Sequence, residues 1–111
     1  MQPATLSEAS FDILLSLAGG PKHGYAMVQD IELRREGRIM QPGLLYTTLP
    51  KLLEAKLIEE APAPSDNTDK RRRYYQLTTA GRMGVRAEAE RRLSMAKKIS
   101  EIAGGMRGEF A

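Results

Sequence analysis

The sequence predicts a mainly α-helical protein with a small β-hairpin and a long C-terminal helix. Three segments with helical periodicity precede two short runs of strand-forming residues, and a highly charged helical segment closes the chain. Because 111 residues are too few for two independent cores, we expect one domain over residues 1–78. Residues 79–111 are expected to form the last helix and a tail.

The first two helices are predicted by apolar residues spaced three and four apart. Thr5 and Glu8 have the spacing of a capping box, and the first helix is expected over about residues 6–18, before Gly19-Gly20-Pro21. The turn GGPKHG then leads to a second amphipathic helix over about residues 24–36. Each helix therefore has one apolar face to bury.

The third helix is predicted to begin at Pro42, because proline suits the first turn of a helix. One face carries the leucines Leu45, Leu49, Leu52 and Leu53, and another carries Leu44, Thr48 and Lys51. The leucine face is expected to be buried. The second face is then available to an external partner.

Residues 57–61 and 74–77 are strand candidates, and the loop between them is rich in Pro, Ser, Asp and Asn. They are expected to form a hairpin with a long, charged tip. The final helix is expected from Thr79 to about Ala103, before Gly104-Gly105. Along it runs a thin apolar stripe made of Ala89, Leu93, Ala96, Ile99 and Ala103.

The composition argues against an enzyme. The single histidine, His23, lies before the second helix, so neither a histidine-based zinc site nor a triad with histidine as its base is easily assembled. A capping or loop role is favoured for it. The glycine pairs are not followed by the Lys-Ser or Lys-Thr of a phosphate-binding loop. We therefore predict no catalytic residue, no metal site and no cofactor.

The charge and the apolar runs give an expectation about location. With no cysteine the chain fits a reducing compartment, and the longest mostly apolar run, residues 11–18, is too short to span a membrane. The start MQPATLSEAS lacks the basic residues of an export signal. We expect a cytoplasmic protein without a membrane partner.

The net charge is only +3, so the placement of charge must indicate the partner.

Three helices followed by a hairpin is the arrangement of a winged helix-turn-helix domain. In that fold the third helix enters the DNA major groove and the hairpin, called the wing, lies over the adjacent backbone. The predicted wing carries the consecutive cations Lys70, Arg71, Arg72 and Arg73. The third helix offers Thr47, Thr48 and Lys51. The cations would contact phosphates, and the third helix would contact bases.

The basic run also has a simpler explanation than DNA binding. Exposed edge strands often carry Lys and Arg, and the run also offsets Asp66 and Asp69. Taken alone, the run does not separate the two readings. Its position after a three-helix unit with a polar outer face favours DNA.

Three blocks of the sequence also resemble the PadR-like transcriptional regulators. They are FDILLSLAGGPKHGYAMVQDI, QPGLLYTTLPKLLEAKLIEE and DKRRRYYQLTTAGR, in the family's order, over about residues 8–82. The resemblance matches Gly43, Leu45 and Tyr46 to the start of the recognition helix. It matches Arg72 and Arg73 to the basic residues before Tyr75, Leu77 and Thr78.

Each aromatic residue in these blocks has two readings. Tyr25 is placed to reach a phosphate or to cap the core, and Tyr46 can both pack its ring and expose its hydroxyl. The wing tyrosines are expected to pack the wing onto the helices rather than touch DNA, because alternation along a strand turns only one of them outward.

Two departures from the family pattern affect the recognition helix. The family usually has proline directly after the tyrosine, where this chain has Thr47, and this chain has Pro50 further on. Proline that deep in a helix removes a backbone hydrogen bond, so we predict a kink or a break near Leu49. Lys56 stands where the family often has a glycine in the left-handed conformation. A lysine in that conformation costs about 1 kcal/mol.

The resemblance implies a homodimer formed through the helix after the wing. The apolar stripe could pair with its twin, or it could fold back on its own domain, and its narrowness favours dimerisation. We therefore predict a regulator, more a repressor than an activator, that binds a palindromic site on double-stranded DNA. The alternative is a winged-helix module that binds a protein. Many family members respond to a small-molecule effector, and no residue pattern indicates one.

Overall fold

The computed structural model describes residues 6–106, which contain four helices and three strands. In chain order these are α1 (Glu8–Leu17), β1 (Lys22–His23), α2 (Gly24–Arg34), α3 (Pro42–Glu54), β2 (Ile58–Ala61), β3 (Tyr74–Leu77) and α4 (Thr79–Gly105). The mainly helical fold class with a hairpin and a long last helix is confirmed. The residues after Met106, which the predicted tail includes, lie outside the described part of the chain.

The start of α1 differs from the prediction. The N-cap is Ser7, whose hydroxyl accepts a hydrogen bond from the Ser10 amide at 3.1 Å. Glu8 is therefore the first helical residue and cannot complete a capping box, which requires a carboxylate two positions further on. The predicted capping box is therefore wrong in the position of Glu8, and Thr5 itself lies outside the described residues. The Glu8 side chain instead forms ion pairs with two arginines of other helices.

A third strand joins the predicted hairpin. β1 pairs antiparallel with β3, which places Lys22 opposite Tyr75 and His23 opposite Tyr74, and the strand order is β1-β3-β2. The sequence predicted only a turn at this point, because two residues are too few to show a strand pattern. The pairing fixes the wing to the residue that directly precedes α2.

The core lies between the first three helices and the base of the wing. Its completely or almost completely buried side chains include Ile13, Leu14, Met27, Ile31, Leu45 and Ile58. Each fully buried side chain of this kind contributes about 1.5–3 kcal/mol. The predicted inner face of α3 is confirmed, since Leu45, Leu49 and Leu52 are buried and Leu53 packs against the cluster.

α3 continues through Pro50 without a break. One helix runs from Pro42 to Glu54 with Pro50 inside it, so the break near Leu49 does not occur, and the alternative of a kink stays a prediction. Pro50 cannot donate to the carbonyl of Tyr46, but Leu49 and Leu52 on the inner face are buried on either side of it. Burial of these neighbours outweighs the local cost of the proline, as tertiary packing often does. The outer face of α3 is therefore one continuous surface.

The end of α3 follows the prediction for Lys56. This residue has a φ of 60°, in the left-handed region, and it closes a Schellman motif. The Leu57 amide donates to the Leu52 carbonyl at 3.0 Å, and the Lys56 amide donates to the Leu53 carbonyl at 3.0 Å. The lysine adopts the conformation that glycine would adopt more easily. The motif turns the chain directly into β2.

Thr78 and Gly81 fix the start of α4. The Thr78 hydroxyl accepts from the Gly81 amide at 3.0 Å and donates to the Lys56 carbonyl at 2.7 Å. A Cβ placed on Gly81 would lie 2.0 Å from the carbonyl oxygen of Leu57, so only glycine allows this approach. The first turns of α4 thus pack on the winged domain. The domain boundary at residue 78 stays a prediction.

One line of residues runs along the whole of α4 at alternating intervals of four and three. We call it the α4 seam, and it comprises Gly81, Val85, Glu88, Arg92, Met95, Ile99, Ile102 and Met106. Its first half faces the chain's own domain, where Gly81 and Glu88 are buried. Its second half is exposed, with Ile99 58% and Ile102 63% accessible. Such spacing is the repeat that pairs helices in coiled coils.

The predicted dimerisation stripe coincides with this seam only in part. Ala89, Leu93, Ala96, Ile99 and Ala103 are all exposed. Within the described residues the stripe is therefore not folded back on its own domain. Only Ile99 lies on the seam, whereas Leu93 lies beside it. Met95, Ile102 and Met106 were missed, and the four-and-three spacing is the sequence signal that could have found them.

Ion pairs join α1 to the end of α2 and to α4. Glu8 on α1 binds both Arg35, at 3.0 Å, and Arg92, at 2.5 Å. Arg35 also binds Asp12 at 2.5 Å, and the Arg92 guanidinium lies 4.2 Å from the centre of the Phe11 ring. The Arg92 contacts hold α4 against α1, and the Arg35 contacts hold the end of α2 against α1. Hydrogen bonds from the arginines are the main cause that lowers the pKa of Glu8 below its ordinary value, chiefly the bond from Arg92.

Glu88 is the buried acid of the same cluster. Its carboxylate accepts from Arg91 at 2.6 Å and from Arg92 at 3.1 Å, and the residue is only 5% exposed. The hydrogen bond from Arg91 is the largest cause that lowers the pKa of Glu88. A buried carboxylate without these partners would be strongly destabilising, so the arginines are part of the packing of α4.

The lowered pKa values predict a loss of stability in acid. A carboxyl group whose pKa is lower in the folded state stabilises the fold above its unfolded pKa, and this contribution is lost as the pH falls through the folded value. We expect the melting temperature to fall between about pH 5 and pH 2. Glu88→Gln should be less stable at pH 7 and show a shallower fall. An equal slope in the variant and the parent would contradict the role of Glu88, and Glu90→Gln, at an exposed position, is the control.

Candidate nucleic-acid interface

Five of the ten predicted contact residues line one groove. It lies between the start of α2, the middle of α3 and the basic side of the wing, and it is lined by His23, Gly24, Tyr25, Tyr46, Leu49, Asp69, Arg71, Arg72, Arg73 and Tyr75. The structure thus brings together five of the residues that the sequence proposed for DNA, on three different elements. No single block of the sequence contains this surface.

Gly24 allows α2 and α3 to approach closely. A Cβ at Gly24 would lie 3.0 Å from the Tyr46 hydroxyl and 3.3 Å from a methyl carbon of Leu45. Tyr46 therefore lies along the start of α2 while 61% of it stays exposed. Tyr25 is 65% exposed and does not cap the core. Both tyrosines present their rings and hydroxyl groups at the edge of the groove.

His23 joins the wing to α2. Its Nδ1 accepts from the Ala26 amide at 3.3 Å, which makes it the N-cap of α2, as predicted. Its ring meets the Tyr74 ring edge to face, with centroids 5.2 Å apart. Burial lowers the pKa of His23, and the nearby Arg72 lowers it further. The neutral ring is therefore favoured, and only the neutral ring can accept at Nδ1.

The four wing cations differ in their partners. Arg71 binds Asp69 at 3.2 Å, and Arg73 binds Glu60 at 3.2 Å, both with exposed arginine side chains. Between residues 6 and 106, no ion pair involves Lys70 or Arg72. Exposed pairs are worth about 0–1 kcal/mol and exchange readily for another anion. All four cations are exposed and can reach a polyanion beside the wing.

The wing tyrosines pack the wing onto the helices to different degrees. Tyr74 is only 9% exposed, and its hydroxyl donates to the Asn67 side chain at 3.4 Å. Tyr75 is half-buried and packs against the core cluster. The two rings position the wing relative to the helices, and Tyr75 also lines the groove.

Four of the five predicted contact residues on α3 are exposed, and Tyr46 has been described above. Gly43, Thr47 and Lys51 are exposed, and nothing lies near Gly43 on its outer side. Thr48 is only 7% exposed, and its hydroxyl donates to the Leu44 carbonyl at 2.6 Å. This buried, internally bonded side chain cannot reach a base edge, so we leave Thr48 out of the interface proposed below.

A metal site and a membrane-spanning helix are both absent from the described residues. Between Leu6 and Met106, no three His, Asp or Glu side chains are grouped so that they could hold a metal ion. None of the helices in the same range combines the length and apolar content that crossing a bilayer requires.

Three helices, a three-stranded wing and an open outer face on α3 define a winged helix-turn-helix, the class of fold that presents its third helix to a DNA groove. The sequence profile of the Transcriptional regulator PadR-like family matches residues 13–87. This range is more than half of the chain. The chain therefore belongs to the PadR-like family of transcriptional regulators, and the family resemblance is confirmed.

Individual relatives agree with this assignment. A PadR family transcription regulator from Clostridium difficile has a TM-score of 0.74 at 18% identity, over 87% of this chain and 99% of its own. A PadR-like regulator from Bacillus cereus has a TM-score of 0.74 at 19% identity, over 85% of this chain and 89% of its own. At such identities the likeness concerns the fold.

One relative by sequence is a longer protein, and this chain matches only part of it. The chain is 32% identical over 97 residues to an uncharacterized 37.1 kDa protein in transposon TN4556 of Streptomyces fradiae. The match covers 87% of this chain and 26% of that protein. The chain thus spans about a quarter of the length of that relative.

Proposed function

We propose that the protein is a cytoplasmic, sequence-specific DNA-binding regulator, acting as a homodimeric repressor on a palindromic operator, with no catalytic activity. The observation that carries this proposal is the convergence of three elements on one cationic groove beside an open recognition helix. Family membership supports it independently.

Each element of the interface has a separate role in the proposal. Lys70, Arg71, Arg72 and Arg73 bind phosphates beside the wing, and Tyr25 binds the backbone at the start of α2. Tyr46 and the exposed backbone at Gly43 lie along the groove wall. Thr47 and Lys51 on the outer face of α3 approach base edges. Affinity then depends mainly on the wing, and sequence preference depends on α3.

Dimerisation in the proposal uses the exposed half of the α4 seam. Met95, Ile99, Ile102 and Met106 continue the line that is already packed against the domain in its first half. Two such seams can bury each other around a two-fold axis. The axis would place two recognition helices on successive major-groove faces, about one helical turn or a multiple apart.

Removal of the wing cations tests DNA binding. We expect Arg71→Ala, Arg72→Ala and Arg73→Ala together to weaken binding to duplex DNA and to reduce the slope of log affinity against log salt by up to about three, because each phosphate contact contributes about one. Affinity is measured by fluorescence anisotropy between ~50 and ~200 mM salt.

A matched variant controls for net charge. Arg86→Ala, Lys97→Ala and Lys98→Ala remove the same number of exposed cations from α4, away from the groove, and should leave both the slope and most of the affinity intact. An equal loss in both triple variants would contradict a specific role of the wing. If the affinity of the unmodified protein for DNA did not change with salt, the cationic surface would not be contacting phosphates. This result would favour the alternative, a winged-helix module that binds a protein partner.

A further inference from the structure

The outer face of α3 has few side chains that can hydrogen-bond to bases. The exposed positions of the helix are Pro42, Gly43, Leu44, Tyr46, Thr47, Pro50, Lys51 and Glu54. Arg, Asn and Gln, the side chains that most often distinguish bases by bidentate bonds, are missing from these positions. The donors on this face are the ammonium group of Lys51 and the hydroxyl group of Tyr46, with the Gln41 amide just before the helix. Recognition by α3 must therefore use apolar contacts as well.

The two threonine hydroxyl groups on this helix are already engaged. Thr47 Oγ1 donates to the Leu44 carbonyl at 3.1 Å, and Thr48 Oγ1 donates to the same carbonyl at 2.6 Å. A threonine whose hydroxyl is turned back to its own helix retains its γ-methyl group as a contact surface. Thr47 is exposed, so this methyl group is accessible from outside.

Leu44 lies beside Thr47 on the same surface. Residues three apart on a helix are neighbours on its surface. Leu44 is 47% exposed and lies in the first turn of the helix proposed to enter the groove. Isolated exposed leucines need no explanation. A leucine and a threonine methyl that adjoin, on a face poor in hydrogen-bonding groups, form an apolar patch at the expected position of the bases.

We infer that α3 recognises thymine through its 5-methyl group, using Leu44 and the γ-methyl group of Thr47. In the major groove this methyl group is the apolar feature that distinguishes thymine from the other bases, and alanine, threonine and phenylalanine side chains are known to contact it. The inference rests on the proposed function and adds the base that its sites contain. Lys51 and Gln41 remain free to bond to flanking bases.

The experiment begins with selection of duplexes from a random-sequence pool by the unmodified protein. The enriched duplex is then synthesised with deoxyuridine in place of thymidine at one half-site position at a time. Deoxyuridine lacks only the methyl group and keeps every hydrogen-bonding group. We expect thymine in the enriched half-site and a loss of about fourfold in affinity at a contacted position, the effect of one buried methyl group.

Two variants show which side chain makes the contact. Thr47→Ser removes the γ-methyl group and keeps the hydroxyl, and Leu44→Ala shortens the neighbouring side chain. Each should bind the thymine duplex about fourfold less tightly and lose less, or nothing, on the change to deoxyuridine. Leu33→Ala is the matched control, because Leu33 is an 82% exposed leucine on α2, outside the groove. It should behave as the unmodified protein.

The outcomes separate this inference from the proposed function. An enriched duplex whose affinity does not change with deoxyuridine at any position would overturn the inference and leave sequence-specific binding intact. If both variants lose as much affinity on the change to deoxyuridine as the unmodified protein does, the inference is likewise overturned and sequence-specific binding stays intact. Failure of the unmodified protein to enrich any sequence would overturn sequence-specific regulation, and thymine recognition with it.

Discussion

Gly81→Ala is expected to be the most destabilising single methyl addition in the described part of the chain. Its Cβ would lie 2.0 Å from the carbonyl oxygen of Leu57, far inside van der Waals contact. The obstructing atom belongs to the backbone that leaves the Schellman motif, so it cannot rotate away as a side chain could. Relief requires α4 to shift from β2, and such overpacking costs about 1–3 kcal/mol or more. Urea unfolding followed by circular dichroism measures the loss.

Gly84→Ala supplies the matched control on the same helix. Nothing lies within 4 Å of a Cβ at Gly84, which is one turn further along α4. Alanine at this position should stabilise the protein by up to about 1 kcal/mol, because glycine is a poor helix former. The opposite signs of the two changes are the prediction. If Gly81→Ala were as stable as the parent protein, the close approach of α4 to Leu57 would be contradicted.

Ile99→Glu together with Ile102→Glu is expected to convert a dimer into a monomer. Both side chains are exposed in the single chain, so the domain should remain folded. Loss of even one buried isoleucine from each of two seams removes about 3 kcal/mol or more, and the dimer dissociation constant should rise at least about 100-fold. Light scattering after gel filtration measures the mass. Affinity for a palindromic duplex should fall at least about tenfold, because each monomer reaches only one half-site.

A glutamate beside the seam tests whether position or charge matters. Leu93 is 73% exposed and lies next to the seam, not on it. Leu93→Glu should therefore leave the mass unchanged and affect DNA binding only slightly. An unchanged mass in the Ile99 and Ile102 variant would contradict dimerisation through the seam. Loss of the dimer in the Leu93 variant would return the interface to the stripe predicted from the sequence.

Local patterns were sufficient to predict most of the elements. The leucine spacing of α3 predicted its buried face, and the strand-forming run after the basic residues predicted β3. The prediction failed where a pattern was too short or where packing acted against it. β1 has only two residues, and its strand conformation depends on pairing with β3. Pro50 is tolerated because buried leucines on both sides hold α3 in place.

The candidate site divides in the same way. The sequence indicated Tyr25, Tyr46 and the wing arginines separately, and the fold brought them to one groove. It also proposed Thr48, which burial removed from the surface. Burial at the border of a helix face depends on the neighbouring helix, so periodicity alone cannot assign it. The internal bonds of the threonine hydroxyl groups, which make the α3 face more apolar, were likewise invisible in the sequence.

By itself the sequence determined the winged-helix class, the order of the four helices and the hairpin, and the position of the basic wing. These features depend on residues close together in the chain, such as turn formers, caps and apolar spacing. The tertiary structure decided that His23 joins the wing to α2, that Gly81 holds α4 against β2, and that half of the α4 seam remains exposed. Each of these depends on contacts between distant segments, which no local pattern encodes.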